Sequence, residues 1–453
     1  MTQLERASFG SKLGVILATA GSAVGLGNVW RFPYMAGEYG GAAFIVIYVG
    51  CVLLFGIPCM VSEFIIGRHA ASNTARAYRS LAGGTPWAAI GYFGVFTGLL
   101  ITSYYAVVAG WCLQYIAASL LGQLHGSPEF FAEYFATFEK DPFKPVFWTV
   151  AIFLITHYVI IHGVRGGIEK ASKLLMPALF VLLLIVVVSA CLLPGAFEGV
   201  KFLFKPDFSK VGGDVFLGAL GQSFYSLSIG MGCLCTYASY FSRQTNLMKS
   251  AVQIGVLDTS VAILAGLMIF PAAFSVGINP DSGPSLVFIT LPNVFQQAFV
   301  SLPVVGYVVG FAFYALLALA AITSLISLHE VTTAFIHEEM HTTRKRAAWT
   351  VTILCSVIGA VCSLSLGKLD FLKIGDRSLF DFFDFITGQV MLPVGGFFTC
   401  LFVGWYLPHK MVRDEFSNWG TLRGKLFHTY LFCIKFVCPI CILMIFLHQF
   451  GWI

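Results

Sequence analysis

The chain has 453 residues, of which 58% are hydrophobic and only 11% are charged, and its mean hydropathy is +0.84. Soluble domains carry about 25% charged residues, so this composition excludes an ordinary soluble enzyme, a disordered chain and a nucleic-acid-binding protein. The net charge of +5 does not indicate an anionic partner, because the basic residues stand at the ends of apolar segments. The composition therefore predicts a polytopic membrane protein whose surroundings are the lipid bilayer.

Apolar segments long enough to cross a bilayer, about 20 residues each, occur eleven times along the chain. They cover roughly residues 11–36, 42–66, 88–121, 146–163, 172–193, 215–240, 249–276, 304–335, 347–366, 380–406 and 428–450. The first has no small-residue cleavage site, so we expect a retained helix rather than a signal peptide. The predicted fold class is an all-α integral membrane protein with eleven transmembrane helices, formed by a single domain over residues 1–453.

Lysine and arginine set the orientation, because cytoplasmic connections are enriched in them. With the N-terminus inside, 17 of the 27 basic residues fall on inner connections and eight fall on outer ones. An odd number of spans then puts the C-terminus outside. We expect a multi-pass protein of the cell (inner) membrane with a cytoplasmic N-terminus.

The connection between the seventh and eighth spans contains a moderately apolar piece, Ser285–Val300. This piece is too short and too polar to cross the bilayer. It predicts a re-entrant or capping hairpin on the outer face.

The 12 cysteines nearly all lie inside apolar runs, for example Cys51, Cys112 and Cys400. We therefore predict no disulfide framework. Cys438 and Cys441 match the C-x-x-C motif, but they lie in an apolar span with no βαβ context, so we expect them to be packing residues.

Two of the spans carry glycines where a continuous helix is costly. Gly21, Gly25 and Gly27 fall within seven residues of the first span, and each costs about 1 kcal/mol of helix propensity relative to alanine. The sixth span repeats the pattern at Gly230 and Gly232, 205 positions after Gly25 and Gly27. Such interruptions at matching positions indicate a transporter site between inverted repeats, although close helix packing through small residues is an alternative. The repeats cover about 11–193 and 215–406, and an extra helix covers about 428–450.

Motifs along nearly the whole chain closely resemble those of the neurotransmitter:sodium symporter family, in its bacterial amino-acid transporter branch. They are Gly21–Asn28 followed by Trp30–Tyr34, Gly40–Phe44, Tyr104–Tyr105, Ser226–Gly230, Tyr237–Tyr240 and Thr323–Ser324. The resemblance implies sodium-coupled symport of a small molecule by alternating access, with discontinuous first and sixth helices. It implies neither covalent chemistry nor an organic cofactor, and it leaves a homodimer open.

Two sodium sites follow from this resemblance, and sodium is a hard cation that takes oxygen ligands. The first site uses Ala23, Asn28, Ser226 and Asp258, together with the carboxylate of the substrate. The second uses Gly21, Val24, Ala320, Thr323 and Ser324. On the residues alone, a Thr-Ser pair in a membrane helix usually bonds back to the i−4 carbonyl, and this alternative stays open.

The resemblance also implies how a substrate binds. Its carboxylate meets the Gly27 amide and the Tyr105 hydroxyl, and its amine faces unwound carbonyls near Ala23, Tyr225 and Ser226. The uncharged side-chain pocket is formed by Val24, Ile101, Tyr105, Tyr225, Ser228, Met231, Ser324 and Leu328. Gly25 stands where the family's biogenic-amine carriers have aspartate. We therefore expect a neutral amino acid, favouring a hydrophobic or aromatic one, with another small zwitterion as the alternative.

Carboxylates inside a membrane are functional candidates by default. Asp258 replaces the Asn of many relatives that bind chloride through a Tyr, a Gln and hydroxyls. Tyr48 and Gln222 are kept here, but Ala262 replaces the last hydroxyl or acid. We expect Asp258 to supply the charge and transport to be independent of chloride. We expect Glu63 in the second span to bond to the unwound part of the sixth.

Two pairs of charged residues are the gates that the resemblance implies. Arg31 and Asp384 form the outer gate. Arg6 and Glu338, steadied by Tyr240, form the inner one. Exposed ion pairs are worth under about 1 kcal/mol each, which suits contacts that must open.

A second function class comes from His337, Glu338 and His341, which match the H-E-x-x-H signature of zinc proteases. On a helix both histidines share a face. The motif stands at the polar inner end of the eighth span, however, and no clear third ligand follows it. We therefore keep a membrane-embedded zinc metalloprotease only as the less favoured alternative and expect a protein that is not an enzyme.

Overall fold

The computed structural model describes residues 7–277, 286–369, 371–422 and 424–449. The chain there is almost entirely helical. We number the helices in chain order as α1 (Lys12–Ala23), α2 (Gly27–Glu38), α3 (Ala42–Ala70), α4 (Thr74–Leu81), α5 (Pro86–Leu120), α6 (Pro128–Lys140), α7 (Lys144–Ile161), α8 (Val164–Cys191), α9 (Ala196–Phe204), α10 (Gly213–Ser226), α11 (Cys233–Ala238), α12 (Leu247–Ser275), α13 (Leu291–Ala298), α14 (Pro303–Glu339), α15 (Arg344–Ser365), α16 (Leu379–Tyr406), α17 (His409–Phe416) and α18 (Phe427–His448).

Nine helices in the described ranges are long and apolar enough to cross a membrane, and α1 with α2 makes a tenth as one bent span. These helices confirm the predicted class of helical membrane protein. The predicted segment 215–240 is divided between α10 and α11, and neither half is long enough to cross alone. The total of eleven spans stays a prediction for this reason.

The first span is broken where the glycines predict it. Helix α1 ends at Ala23, Val24 is extended, and α2 begins at Gly27 with a π-helical turn. The axes of α1 and α2 differ by 58°. The break leaves backbone carbonyls and amides outside the helical hydrogen-bond ladder, where side chains bond to several of them.

The sixth span is broken between α10, which ends at Ser226, and α11, which begins at Cys233. Ser228, Gly230 and Gly232 there have φ values of 55°, 90° and 77°. Left-handed backbone of this kind suits glycine but is strained for serine. The Ser228 hydroxyl donates a hydrogen bond of 2.9 Å to the Ser22 carbonyl oxygen, so the two breaks are joined.

The 37-residue helix α14 is central to the fold. It packs against α5 and α8 and also contacts α1. In its most apolar 18-residue window 78% is buried, whereas the corresponding windows of α7 and α8 are only 39% and 33% buried. The peripheral helices therefore present apolar side chains to lipid, and α14 forms one wall of the interior beside the broken spans.

The connections contain secondary structure that the sequence did not predict. Helix α6 lies in the connection between α5 and α7, and α9 lies in the connection between α8 and α10. Strands β1 (Lys373–Ile374) and β2 (Arg377–Ser378) form a small antiparallel hairpin. The Phe135 ring of α6 stacks on Phe288, with ring centroids 5.4 Å apart. Phe288 belongs to a π-helical turn (Leu286–Thr290) that precedes the short helix α13.

Candidate ion and substrate site

The two broken spans meet around a small cavity. Eleven of the twelve predicted substrate residues line it, and Val24 is the exception. The lining consists of Ser22, Ala23, Gly25, Gly27, Asn28, Ile101, Tyr104, Tyr105, Tyr225, Ser226, Ser228, Met231, Ser324, Leu328 and Leu392. None of these side chains carries a charge, so the cavity suits a neutral side chain. Sequence reasoning missed Ser22, Tyr104 and Leu392 as lining residues.

The residues predicted for the first sodium site lie together beside this cavity. The Asn28 side-chain amide donates hydrogen bonds of 2.8 Å to Asp258 Oδ1 and 3.2 Å to Ser226 Oγ. The Ser226 hydroxyl donates to Asp258 Oδ2 at 2.7 Å, and the Tyr48 hydroxyl donates to the same oxygen at 3.3 Å. Asp258 is completely buried. A buried carboxylate supported only by neutral donors favours a bound cation, which would neutralise it.

The oxygens predicted for the second sodium site also form one cluster. Ser324 Oγ lies 3.4 Å from the Gly21 carbonyl oxygen and 3.2 Å from that of Val24. Thr323 Oγ1 lies 3.0 Å from the Ala320 carbonyl oxygen. Thr323 also bonds back to the Leu319 carbonyl, as the alternative of i−4 bonding predicts. Ser324 instead bridges α14 to the break in the first span, which local back-bonding does not explain.

Gly25 and Gly27 form the floor of the cavity, and side chains of other helices lie close to both glycines. A Cβ on Gly25 would lie 2.8 Å from Ser324 Oγ and 2.9 Å from the Tyr105 hydroxyl oxygen, and a Cβ on Gly27 would lie 2.9 Å from the Tyr225 ring. The Tyr105 hydroxyl oxygen accepts a hydrogen bond of 3.0 Å from the Leu26 amide. Side chains at these two glycines would fill the space beside the exposed amides of the break.

Glu63 supports the break in the sixth span. Its Oε1 accepts a hydrogen bond of 2.7 Å from the Gly230 amide, the pairing expected from the sequence. On the other side of Gly230, α16 approaches so closely that a Cβ on Gly395 would lie 2.6 Å from the Gly230 carbonyl oxygen. The unwound segment is therefore held between α3 and α16.

The predicted gate residues take different arrangements. The Arg31 guanidinium lies over the Tyr225 ring, 4.4 Å from its centroid. Within the described part of the chain, Arg31 makes no direct ion pair with Asp384. Arg6 lies outside the described residues, and Glu338 Oε2 accepts a hydrogen bond from the Asn73 amide at 2.8 Å. Both gates stay predictions.

An ion pair that the sequence did not reveal joins α14 to the first residue of α15. Glu330 is completely buried and receives two hydrogen bonds from the Arg344 guanidinium, of 2.9 Å and 2.5 Å. The Tyr240 hydroxyl donates to Glu330 Oε1 at 2.7 Å. Tyr240, predicted to steady Glu338, therefore contacts a different acid two helical turns earlier on the same helix.

The zinc-protease alternative does not have the geometry that it requires. Helix α14 ends at Glu339, and His341 lies beyond it with a φ of 49°. His337 Nδ1 is 2.5 Å from the Thr342 carbonyl oxygen. The two histidines therefore do not share a helical face.

Comparison with known proteins agrees with this arrangement. The profile described as the sodium:neurotransmitter symporter family matches residues 6–128 and 125–451. An uncharacterized sodium-dependent transporter of Bacillus subtilis is 36% identical over 453 residues, covering 100% of this chain and 99% of the relative. The human sodium- and chloride-dependent GABA transporter 2 is 26% identical over 491 residues, covering 96% of this chain and 79% of that protein.

A solved structure is similar over nearly the whole chain. It is the crystal structure of MhsT in complex with L-phenylalanine, which has a TM-score of 0.87 and 42% sequence identity. The match covers 98% of this chain and 99% of that one.

Proposed function

The chain belongs to the sodium:neurotransmitter symporter family, and on that premise we propose that it imports a neutral amino acid with a hydrophobic or aromatic side chain, coupled to sodium and independently of chloride. The observation that carries the proposal is the buried carboxylate of Asp258. It is held by Asn28 and Ser226 at the edge of the cavity, where the helices of both broken spans are interrupted.

In this proposal the first sodium ion couples its own transport to that of the substrate. It binds the Asp258 carboxylate, the Asn28 and Ser226 side chains and the Ala23 carbonyl. The carboxylate of the amino acid completes its shell, so ion and substrate bind more tightly together than separately. The second ion binds at the five oxygens between α14 and the first break. The membrane potential would supply about 2.3 kcal/mol per 100 mV for each of the two sodium ions that move inward.

The chemistry of the cavity supports a neutral amino acid. The floor at Gly25 and Gly27 lacks side chains and lies at the start of α2, where the helix dipole favours an anion such as a carboxylate. Met231 gives the pocket an adaptable wall. MhsT, at 42% identity, was crystallised with L-phenylalanine, which supports an aromatic amino acid. The alternative, another small zwitterion such as γ-aminobutyric acid, has support from the more distant GABA transporter.

The proposal that transport is independent of chloride rests on the fixed negative charge of Asp258. Asp258 already places one negative charge beside Tyr48 and Ser226. A chloride ion bound at the same locus would add a second negative charge in a low-dielectric interior.

Transport proceeds by alternating access between the repeats 11–193 and 215–406. Arg31 and Asp384 close the outer path, and Arg6 and Glu338 close the inner one. We place the protein in the cell membrane with the N-terminus in the cytoplasm. One chain supplies every ion and substrate residue, so a monomer suffices for transport and a homodimer is compatible with it.

The test is uptake of radiolabelled L-phenylalanine into proteoliposomes, with sodium outside or with potassium in its place. We expect accumulation above equilibrium with sodium only, unchanged when gluconate replaces chloride. Asp258→Ala should abolish it. Asp376→Asn, which alters an exposed acid between β1 and β2, should leave it intact.

Unlabelled leucine, tryptophan, lysine, glutamate and γ-aminobutyric acid then serve as competitors. The proposal expects leucine or tryptophan to compete and the charged amino acids not to. Sodium-dependent accumulation of none of the neutral amino acids, or competition by γ-aminobutyric acid alone, would overturn the assigned substrate.

A further inference from the structure

Three buried cysteines from three different spans meet at one point. Cys59 of α3, Cys400 of α16 and Cys438 of α18 have Sγ atoms that all lie within 4.8 Å of one another. The Sγ atoms of Cys59 and Cys400 are 3.4 Å apart. Each of the three residues is at most 1% exposed. Cys438 is the first cysteine of the C-x-x-C motif, so that motif contributes one residue to a cluster assembled by the fold.

The spacing of the sulfur atoms fits a shared metal ion. Three sulfurs at about 2.3 Å from a metal in their plane would lie about 4.0 Å from one another. The Cys59–Cys400 distance of 3.4 Å is somewhat shorter than that value, and the limit of 4.8 Å for all three pairs includes it. A disulfide requires about 2.0 Å between two sulfurs and would leave the third cysteine unpaired.

The number of ligands selects the kind of ion. Among the described residues, no histidine, carboxylate or fourth cysteine joins the group. Structural zinc takes four protein ligands, whereas soft sulfur ligands also select Cu(I). We propose that Cys59, Cys400 and Cys438 form a three-coordinate binding site for Cu(I).

The charge balance supports a monovalent ion. Binding of Cu⁺ to three thiols with release of one proton gives one thiolate, two thiols and the metal, a group with no net charge. A divalent ion with three thiolates would leave a net negative charge in the apolar interior, which is costly. Copper remains Cu(I) throughout, so no oxidant or reductant takes part in binding.

The site is placed to act on the unwound part of the sixth span. Cys59 lies one helical turn before Glu63, which accepts the Gly230 amide, and Cys400 lies on α16, whose Gly395 packs on Gly230. A bound ion would therefore tie together the two helices that enclose this segment. Cu(I) binding itself does not depend on the transport function proposed above.

The experiment is an anaerobic titration of the purified full-length protein in detergent with Cu(I), in competition with bathocuproine disulfonate. The absorbance of the chelator complex reports the copper that the protein leaves unbound. We expect one equivalent to bind to the wild type. Cys400→Ala and Cys438→Ala should each weaken binding on the order of 100-fold. Cys441→Ala and Cys355→Ala are matched controls, a motif neighbour and a buried cysteine outside the cluster, and should still bind one equivalent.

X-ray absorption at the copper edge supplies the coordination. Three sulfur neighbours at about 2.3 Å are expected. Fewer than three sulfurs, equal copper retention by the triple Cys59→Ala, Cys400→Ala and Cys438→Ala variant, or no binding by fully reduced wild type would each overturn the site. Size-exclusion profiles identify folded variants, and if Cys400→Ala does not fold, Cys438→Ala decides.

Discussion

The Ser228 hydroxyl donates a hydrogen bond to the Ser22 carbonyl oxygen across 2.9 Å, and this bond joins the breaks of the first and sixth spans. Ser228 adopts a φ of 55° to make it. A non-glycine residue in this conformation carries about 1 kcal/mol or more of strain. A buried hydrogen bond is worth about the same, so the bond offsets the strain of the backbone that presents it.

Substitutions at Ser228 separate the free energy of the hydrogen bond from that of the backbone strain. Ser228→Ala keeps the strain and loses the bond, so we expect it to be destabilised by about 1 kcal/mol. Ser228→Gly loses the bond but also relieves the strain, so we expect stability near that of the wild type. Thermal unfolding of the purified protein in detergent, followed by tryptophan fluorescence, compares them. If both variants unfold at the same temperature, the strain argument is wrong.

Removing the charge of Asp258 should weaken sodium binding, while a side chain of the same shape that still forms hydrogen bonds remains in the site. For Asp258→Asn we expect the sodium concentration for half-maximal phenylalanine binding to rise at least tenfold, equivalent to about 1.4 kcal/mol. Equilibrium binding of labelled phenylalanine across a sodium series measures this. An unchanged midpoint would contradict the first ion site, and Asp376→Asn controls for loss of surface charge.

The same variant should acquire a response to chloride. Tyr48, Gln222 and Ser226 remain in Asp258→Asn, while the fixed negative charge beside them is gone. We expect chloride, compared with gluconate, to stimulate its phenylalanine uptake while leaving the wild type unchanged. Adding Ala262→Glu, which restores an acid nearby on α12, should abolish the stimulation. Chloride stimulation of the wild type would show that Asp258 does not supply the compensating charge.

The proposed second ion site includes two hydroxyls of α14. Thr323→Val removes an oxygen while keeping the shape of the side chain, and we expect sodium affinity to fall about tenfold. Thr323→Ser keeps the oxygen and should retain most of the affinity. Ser327→Ala on the same helix is the control, because it removes a hydroxyl that donates to the Thr323 carbonyl and is not among the predicted ion ligands. Equal effects of Thr323→Val and Thr323→Ser would favour a packing role.

The glycine floor should reject any side chain. The Cβ of Gly25→Ala would lie within 3.0 Å of Ser324 and Tyr105, so we expect phenylalanine affinity to fall at least tenfold. Gly50→Ala in α3, where a Cβ meets nothing within 4 Å, should bind normally. Equal binding by the two variants would show that the cavity is wider than its floor indicates.

The sequence predicts the fold best where composition and backbone chemistry act locally. Apolar length locates the spans, and clustered glycines locate both breaks, because each signal is contained within one segment. Helices α6 and α9 were missed because they are short and lie in polar connections. The count of eleven spans stays a prediction, because six residues outside any helix separate α10 from α11.

In the candidate site, too, residues marked by a local motif were predicted and residues without such a signal were missed. Motif residues such as Asn28 and Asp258 come together as the resemblance implies. Leu392 was missed because an apolar residue on a membrane helix carries no signal of lining a cavity. The Glu330 and Arg344 pair was missed because it depends on how α14 and α15 are aligned, which no local motif records.

The ion pair between buried Glu330 and partly exposed Arg344 has a consequence for leakage. Separating the two charges leaves the Glu330 carboxylate desolvated and without its partner, which costs about 3–5 kcal/mol until water reaches it. Intermediate openings of this end of the protein are therefore the least stable, and the passage between shut and open should be switch-like. A carrier with such a bistable end spends little time in half-open states, and these are the states through which ions would pass without substrate.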